Sequence, residues 1–110
     1  MITHNNFYFL NKATEAVESS VTHNTRGEVL TLQVEGEATS LKLQVLGCSD
    51  MASDEFHVLS GFDTAYNLLD TMTENGIYTY GIEGVGKIKV LLLEAPGGQV
   101  SVFGKITMGV

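Results

Sequence analysis

Residues 29–34, Val-Leu-Thr-Leu-Gln-Val, decide the fold class of this chain. Leu30, Leu32 and Val34 fall on one side of an extended backbone, and the polar residues between them fall on the other. Period-two alternation of apolar and polar residues is typical of a β-strand with one buried face and one solvated face. The stretch therefore predicts a strand in a sheet that covers a core on one side only.

Four further runs along the chain show the same alternation. Their apolar positions are Leu41, Leu43 and Val45; Tyr78, Tyr80 and Ile82; Ile88, Val90 and Leu92; and Val100, Val102, Ile106 and Met108. Turn-forming residues separate the runs, and their spacing is close to that of β-sandwiches, about 8–12 residues. Residues 88–93 are apolar on both sides except for Lys89, which indicates a central strand or a strand whose outer face meets a partner.

Helix signals are weak. Residues 13–17 and 63–69 could each form a helical turn, with Asp63 as the N-cap of the second. Both stretches are short, and we interpret them as irregular connections or short strands. The sequence therefore predicts an all-β fold, an antiparallel β-sandwich with jelly-roll or Greek-key connections.

The N-terminal stretch departs from the alternation. Four large apolar residues stand there in a row: Phe7, Tyr8, Phe9 and Leu10. A sheet that is buried on one side covers only every second side chain. Two interpretations stay open: a first strand with both faces partly covered, or an arm that packs on a neighbouring subunit or a partner. We divide the chain into residues 1–12, an N-terminal arm or first strand, and residues 13–110, a single β-sandwich domain.

The composition excludes several classes of function. The 110 residues suit one domain, and 6 Lys and Arg against 13 Asp and Glu give a formal net charge of −7. This excess of acid argues against a nucleic-acid partner and an anionic membrane surface, because no basic patch is available for phosphate groups. No apolar run approaches the ~20 residues of a membrane span. The single Cys48 excludes an intramolecular disulfide, so we expect folding in a reducing cytoplasm.

No constellation of residues indicates an active site or a metal centre. His4, His23 and His57 stand far apart, and no two of them have the spacing of a zinc motif. The acidic loop at 49–55 lacks the ordered ligands and central Gly of a calcium-binding EF-hand. A Gly-x-Ser-x-Gly nucleophile elbow is also missing. We expect no enzymatic activity, no cofactor and no bound metal.

Carbohydrate binding is an alternative that the residues leave open, because many β-sandwich modules stack sugar rings on exposed aromatic side chains. Trp is absent, which leaves tyrosines as candidates: Tyr66, Tyr78 and Tyr80. Tyr78 and Tyr80 share one face of a predicted strand and are better explained as residues of the core or its rim.

Five stretches between residue 28 and the C-terminus match the pattern of a known family. They are the strands at 29–36 and 41–47, the aromatic strand at 55–61, the Gly-Ile-Tyr stretch at 76–84, and the closing Gly-x-Val-x-Val-x-Gly strand at 98–104. In their order and glycine spacing they resemble the small, jelly-roll-like β-sandwich structural proteins of tailed-bacteriophage virions.

The resemblance implies a non-enzymatic virion structural protein, specifically a capsid decoration or cement protein that binds across capsomer boundaries and stabilises the shell. It implies assembly in the host cytoplasm, with the major capsid protein or other virion proteins as partners and a homo-oligomer, dimer or trimer, as the functional form. A tail or baseplate module, or a carbohydrate-binding receptor module, is the alternative. The candidate anchors at the partner interface are Phe7, Tyr8, Phe9 and Leu10, because a few apolar side chains dominate such contacts.

Overall fold

The computed structural model describes residues 3–49, 52–94 and 97–108. These ranges form eleven β-strands: β1 (Thr3–Ala13), β2 (Val17–Glu18), β3 (Thr22–His23), β4 (Val29–Gly36), β5 (Lys42–Cys48), β6 (His57–Val58), β7 (Gly61–Phe62), β8 (Leu68–Leu69), β9 (Gly76–Gly81), β10 (Lys87–Glu94) and β11 (Val100–Met108). No helix occurs in them, so none of the described residues forms a helix that could cross a membrane.

The strands form two antiparallel sheets. Sheet A has six strands in the order β1-β11-β4-β9-β7-β8, and sheet B has five, in the order β2-β10-β5-β6 with β3 also paired to β10. Apart from β5–β6 and β7–β8, neighbouring strands are not consecutive in the chain, and the connections β4–β5, β6–β7, β9–β10 and β10–β11 pass between the two sheets. The predicted all-β sandwich is confirmed.

The core lies between the sheets and is built from the alternating residues. Fifteen of the sixteen predicted inward positions are buried: Leu30, Leu32, Val34, Leu41, Leu43, Val45, Tyr78, Tyr80, Ile82, Ile88, Val90, Leu92, Val100, Val102 and Ile106. Met108 is half-buried and packs against this cluster. Met72, which belongs to no alternating run, is also fully buried, because a bridge to Leu43 fixes its backbone beside β5.

The N-terminal stretch is the edge strand of sheet A, where β1 pairs with β11. A register shift between Tyr8 and Leu10 breaks the alternation, so that Phe9 and Leu10 both join the core while Tyr8 stays 53% exposed. The ring of Phe9 lies over Gly104 of β11, where an added Cβ atom would come within 2.7 Å of Cε2 of Phe9. Glycine at residue 104 therefore makes room for this ring.

One buried side chain, that of Asn24, ties the turn before β4 to the loop between β9 and β10. Its Oδ1 accepts a hydrogen bond from the N–H of Gly27 at 2.7 Å. Its Nδ2 donates to the carbonyl of Val85 at 2.9 Å and to those of Gly27 and Ile82 at 3.3 Å. Because β9 belongs to sheet A and β10 to sheet B, Asn24 stabilises a point where the chain passes between the sheets.

Candidate partner interface

One end of the outer face of sheet B is covered by the chain itself. The ring centroid of Phe56 lies 4.2 Å from Nζ of Lys89 and 5.5 Å from Nζ of Lys87, both on β10. Lys87 is buried and donates a hydrogen bond to the carbonyl of Ser53. These contacts hold the segment 52–56 against the first half of β10, whereas Leu93 near the other end of the strand stays 42% exposed.

The outer face of sheet A carries exposed apolar side chains. The register of β1, β11, β4 and β9 aligns one row across it, which we call the central row: Tyr8, Phe103, Gln33 and Ile77. The rings of Tyr8 and Phe103 meet edge to face with their centroids 5.3 Å apart. Tyr8 is 53% exposed and Ile77 is 46% exposed, so both present large apolar surfaces to solvent.

Charge is scarce on this face. On the outward positions of β4, β9 and β11, the charged side chains are Lys105 on one side of the central row and Glu35 on the other. The remaining positions are mainly threonine, serine and apolar residues. Depletion of charge around exposed aromatic residues is typical of the centre of a protein–protein interface. This composition makes the outer face of sheet A a candidate contact surface.

The β7–β8 hairpin carries a second exposed apolar group, at the edge of sheet A opposite β1. We call it the hairpin tip; it consists of Phe62, Tyr66 and Leu68. These side chains are 46%, 86% and 65% exposed, respectively. Phe62 and Leu68 are direct cross-strand partners and therefore share one face, while Tyr66 lies in the turn between them.

Asp63 holds the turn of the hairpin in shape. Its Oδ1 accepts hydrogen bonds from the N–H groups of Ala65 and Asn67, both at 2.9 Å, and its Oδ2 accepts one from Nδ2 of Asn67 at 3.1 Å. Tyr66 has a φ of 64°, in the left-handed region that costs a non-glycine residue about 1–3 kcal/mol. The turn thus presents Tyr66 in an unfavourable backbone conformation that the hydrogen bonds to Asp63 support.

Acid should loosen this turn. The hydrogen bonds from Asn67 lower the pKa of Asp63 below its ordinary value of 3.8, so its ionised form stabilises the fold above that pH. This stabilisation is lost as the pH falls below 3.8 through the folded-state pKa. We expect the amide resonances of Ala65 and Asn67 to shift in an NMR titration over this range. An Asp63→Ala variant should lack the transition; a transition that persists in the variant would assign it to another group.

Comparison with known proteins identifies the family. The XepA family matches residues 3–106. This chain belongs to the XepA family. The resemblance to β-sandwich proteins of bacteriophages is thereby confirmed, since the two prophage proteins described next, YomS and XepA, have this fold. No curated protein sequence matches the chain.

Solved structures show that this XepA-family chain has the fold of two such proteins. The crystal structure of the SPBc2 prophage-derived protein YomS matches with a TM-score of 0.88 and 22% identity, over 97% of this chain and 95% of that one. The PBSX exported protein XepA matches with a TM-score of 0.90 and 19% identity, over 96% of this chain but 38% of that one. A chain of the cyanophage Pam1 capsid asymmetric unit matches with a TM-score of 0.46 and 17% identity, over 97% of this chain and 81% of that one.

The four candidate anchors of this XepA-family chain fall in different environments. Phe9 and Leu10 are 8% and 7% exposed and belong to the core, which leaves little of either side chain for a partner. Phe7 is half-buried, and its ring meets that of Phe9 edge to face at 4.7 Å. Tyr8 is the member of the group that lies on the open face, so a docking role for this stretch is a prediction that now rests on Tyr8.

Sequence reasoning missed the other exposed apolar residues of the XepA-family chain, although a signal was present. Phe103 stands between the inward positions Val102 and Gly104, and Ile77 directly precedes the inward Tyr78. An apolar residue that is out of phase in an alternating strand must lie on the outer face. The strand order was needed to see that these residues form one row.

Three of the remaining chemical groups, Cys48, Glu55 and His57, line one cavity beside β5 and β6. Glu55 and His57 approach each other to 3.9 Å on the exposed side of β6, whereas Cys48 is buried. No three His, Cys, Asp or Glu side chains of ranges 3–49, 52–94 and 97–108 could hold a metal ion together. Asp50 of the acidic loop lies outside the described residues.

Two of the three candidate tyrosines are core residues. Burial raises the pKa of Tyr80, and burial together with the Glu74 charge raises the pKa of Tyr78, whose hydroxyl donates to the Glu74 carbonyl at 2.6 Å. Tyr66 is the exposed one, which limits any stacking on these three residues to the hairpin tip.

Proposed function

We propose that this XepA-family chain is a non-enzymatic structural protein of a bacteriophage particle, specifically a capsid decoration protein that binds across capsomer boundaries. Its partners are the major capsid protein or other virion proteins, and it joins the virion in the host cytoplasm. The observation that carries the proposal is the hairpin tip, three large apolar side chains held by a fixed turn at the edge of an acidic molecule.

The chemistry of the tip suits attachment to another protein. A few exposed apolar and aromatic side chains supply most of the affinity of a typical interface. Because the hydrogen bonds to Asp63 already order the turn, binding causes little further loss of conformational entropy in the loop. The net charge of −7 favours encounter with basic patches on a shell. Many copies that each bridge two capsomers would raise the barrier to rupture of the shell.

Replacing the tip should abolish attachment. The test variant changes Phe62, Tyr66 and Leu68 to serine, and the matched control changes Val21 and Val58, which are 42% and 44% exposed elsewhere, to serine. We expect the test variant to lose about tenfold or more in affinity for particles of the encoding phage that lack this protein, measured by co-sedimentation. The control should bind like the parent chain. Equal binding by all three would contradict a role of the tip.

A receptor-binding role on a tail or baseplate is the second candidate, and the exposure of Tyr66 favours it. A tyrosine ring that is 86% exposed on a hydrogen-bonded turn offers a flat surface for stacking a sugar ring. A glycan array and the shift of Tm on adding the best glycan would test this role. Binding of a glycan that is lost in Tyr66→Ala, together with no binding to particles, would favour the receptor module over decoration.

A further inference from the structure

We propose that Asn75 is a site of spontaneous modification, where the side-chain carboxamide is lost as ammonia through a succinimide formed with the backbone nitrogen of Gly76. This chemistry is independent of the proposed function and of the hairpin tip, because it needs no partner. Three features support it: the residue that follows Asn75, the place of the pair at the end of a strand ladder, and the hydrogen bond that the carboxamide makes.

Asn75 differs from the other asparagines of the chain in the residue that follows it. Each of the other five precedes a residue with a side chain; these following residues are Asn6, Phe7, Lys12, Thr25 and Leu68. Asn75 precedes Gly76. Glycine has no Cβ atom, so its backbone nitrogen can approach the preceding side chain without a steric clash. The Asn-Gly pair therefore closes a five-membered ring more readily than any of the other five.

The position of the pair at the start of β9 leaves it accessible. Asn75 is exposed, and the half-buried Gly76 is the first residue of the strand. Gly76 faces Val34, and these two residues are the last pair of the β4–β9 ladder. The ends of strands open locally more often than their centres do. Each opening frees the backbone of Gly76 to turn toward Cγ of Asn75.

The reaction needs only water and a base from the solvent. The Gly76 nitrogen gives its proton to the base and attacks Cγ of Asn75, which forms a new C–N bond. The bond from Cγ to Nδ2 breaks, and Nδ2 takes up a proton and leaves as ammonia. Water then opens the ring at one of its two carbonyl carbons, so the product has aspartate or isoaspartate at residue 75. Either product adds one negative charge to the formal net charge of −7.

The carboxamide that is lost joins two strands of sheet A. Nδ2 of Asn75 donates a hydrogen bond to the carbonyl of Gly36, the last residue of β4, at 3.0 Å. A carboxylate has no donor and would point a negative oxygen at this carbonyl oxygen. The hydrogen bond from the Tyr78 hydroxyl to the Glu74 carbonyl lies within the turn and does not replace the lost contact. We therefore expect the reaction to weaken the corner where β4 ends and β9 begins.

Incubation of the purified chain at mildly alkaline pH, followed by peptide mass mapping, tests the site. Asn67 is the matched control, because it is also exposed in a turn but precedes Leu68, and its Nδ2 donates to Asp63. We expect conversion at residue 75 to be about tenfold faster or more than at Asn67. Labelling by an isoaspartyl methyltransferase should detect isoaspartate at residue 75, a product that a succinimide gives and direct hydrolysis of the amide does not.

Two substitutions at residue 75 separate the reaction from its effect on the fold. Asn75→Gln keeps a carboxamide but would have to close a six-membered ring, so the acidic form seen by ion exchange should not appear. Asn75→Asp imitates one product and should raise the equilibrium constant of unfolding about three- to tenfold in urea, because one hydrogen bond is lost. Asn11→Asp adds the same charge at an exposed position of β1 and should change this constant about twofold or less.

Three outcomes would overturn the proposed site: conversion at residue 75 no faster than at Asn67, aspartate formed there without isoaspartate, or an acidic form that persists in Asn75→Gln. Circular dichroism shows whether each variant is folded, and the mapping of the parent chain does not depend on any variant. An Asn75→Asp variant as stable as the parent chain would contradict the effect on the corner between β4 and β9.

Discussion

Replacing Asn24 by alanine should lower the free energy of unfolding by about 3 kcal/mol, a large share of the stability of a domain of this size. The substitution removes the side chain that pairs with the backbone of Gly27, Ile82 and Val85 in a buried turn. A buried polar group that loses its partner carries the full cost of its desolvation. Urea denaturation followed by circular dichroism measures the change, and a loss below about 1 kcal/mol would show that water replaces the amide.

An Asn24→Asp variant sharpens this test. Aspartate keeps the oxygen that accepts from Gly27 but, when ionised, points a negative oxygen at the carbonyls of Ile82 and Val85. We therefore expect it to be less stable at pH 7 than the alanine variant. The carbonyls raise the pKa of this carboxyl in the folded state, so its deficit should shrink as the pH falls. A deficit that is independent of pH would argue against this orientation of the amide.

The second large effect is expected in β1. Phe9→Ala should cost about 3–4 kcal/mol, because it empties a buried aromatic site between the sheets. Tyr8→Ala, one residue earlier, should cost about 1 kcal/mol or less, because Tyr8 is 53% exposed. The same urea experiment compares the two. Similar losses of unfolding free energy at both positions would mean that the register shift lies elsewhere. They would favour the interpretation of this stretch as a docking arm.

A double-mutant cycle with Gly104 isolates the contact that seats β1. Gly104→Ala adds a Cβ atom 2.7 Å from the Phe9 ring and should destabilise the chain by itself. In the Phe9→Ala background the added methyl group enters the space left by the ring, so the second substitution should cost less there. Strict additivity of the two losses would mean that the ring does not lie over residue 104.

The alternating strands could be predicted from the sequence because burial there depends only on period. Leu30, Leu32 and Val34 are inward whichever strand lies beside them, since successive side chains of any strand point to opposite faces. The same logic located the buried faces of β5, β9, β10 and β11. Short strands such as β6, β7 and β8 have two residues each, too few to show a period.

The N-terminal stretch and the open face depend on pairing between distant strands. A register shift against β11 sends both Phe9 and Leu10 inward, and nothing local to four consecutive apolar residues specifies it. Lys87 is buried because the segment 52–56 folds over β10, which no pattern around residue 87 reveals. The central row likewise exists only once β1, β11, β4 and β9 are known to be neighbours.

The pairing of β1 with β11 also sets the order of events in biosynthesis. Lys12 and Ser101, which are joined by a hydrogen bond between the two strands, stand 89 positions apart in the chain. A contact between residues so far apart in sequence requires the closure of a long loop, and many such contacts are characteristic of slowly folding proteins. Until β11 emerges from the ribosome, the aromatic stretch of β1 has no sheet to join and is open to chaperones and to neighbouring nascent chains. We therefore expect the β1 edge of sheet A to be a site of misassembly in newly made chains.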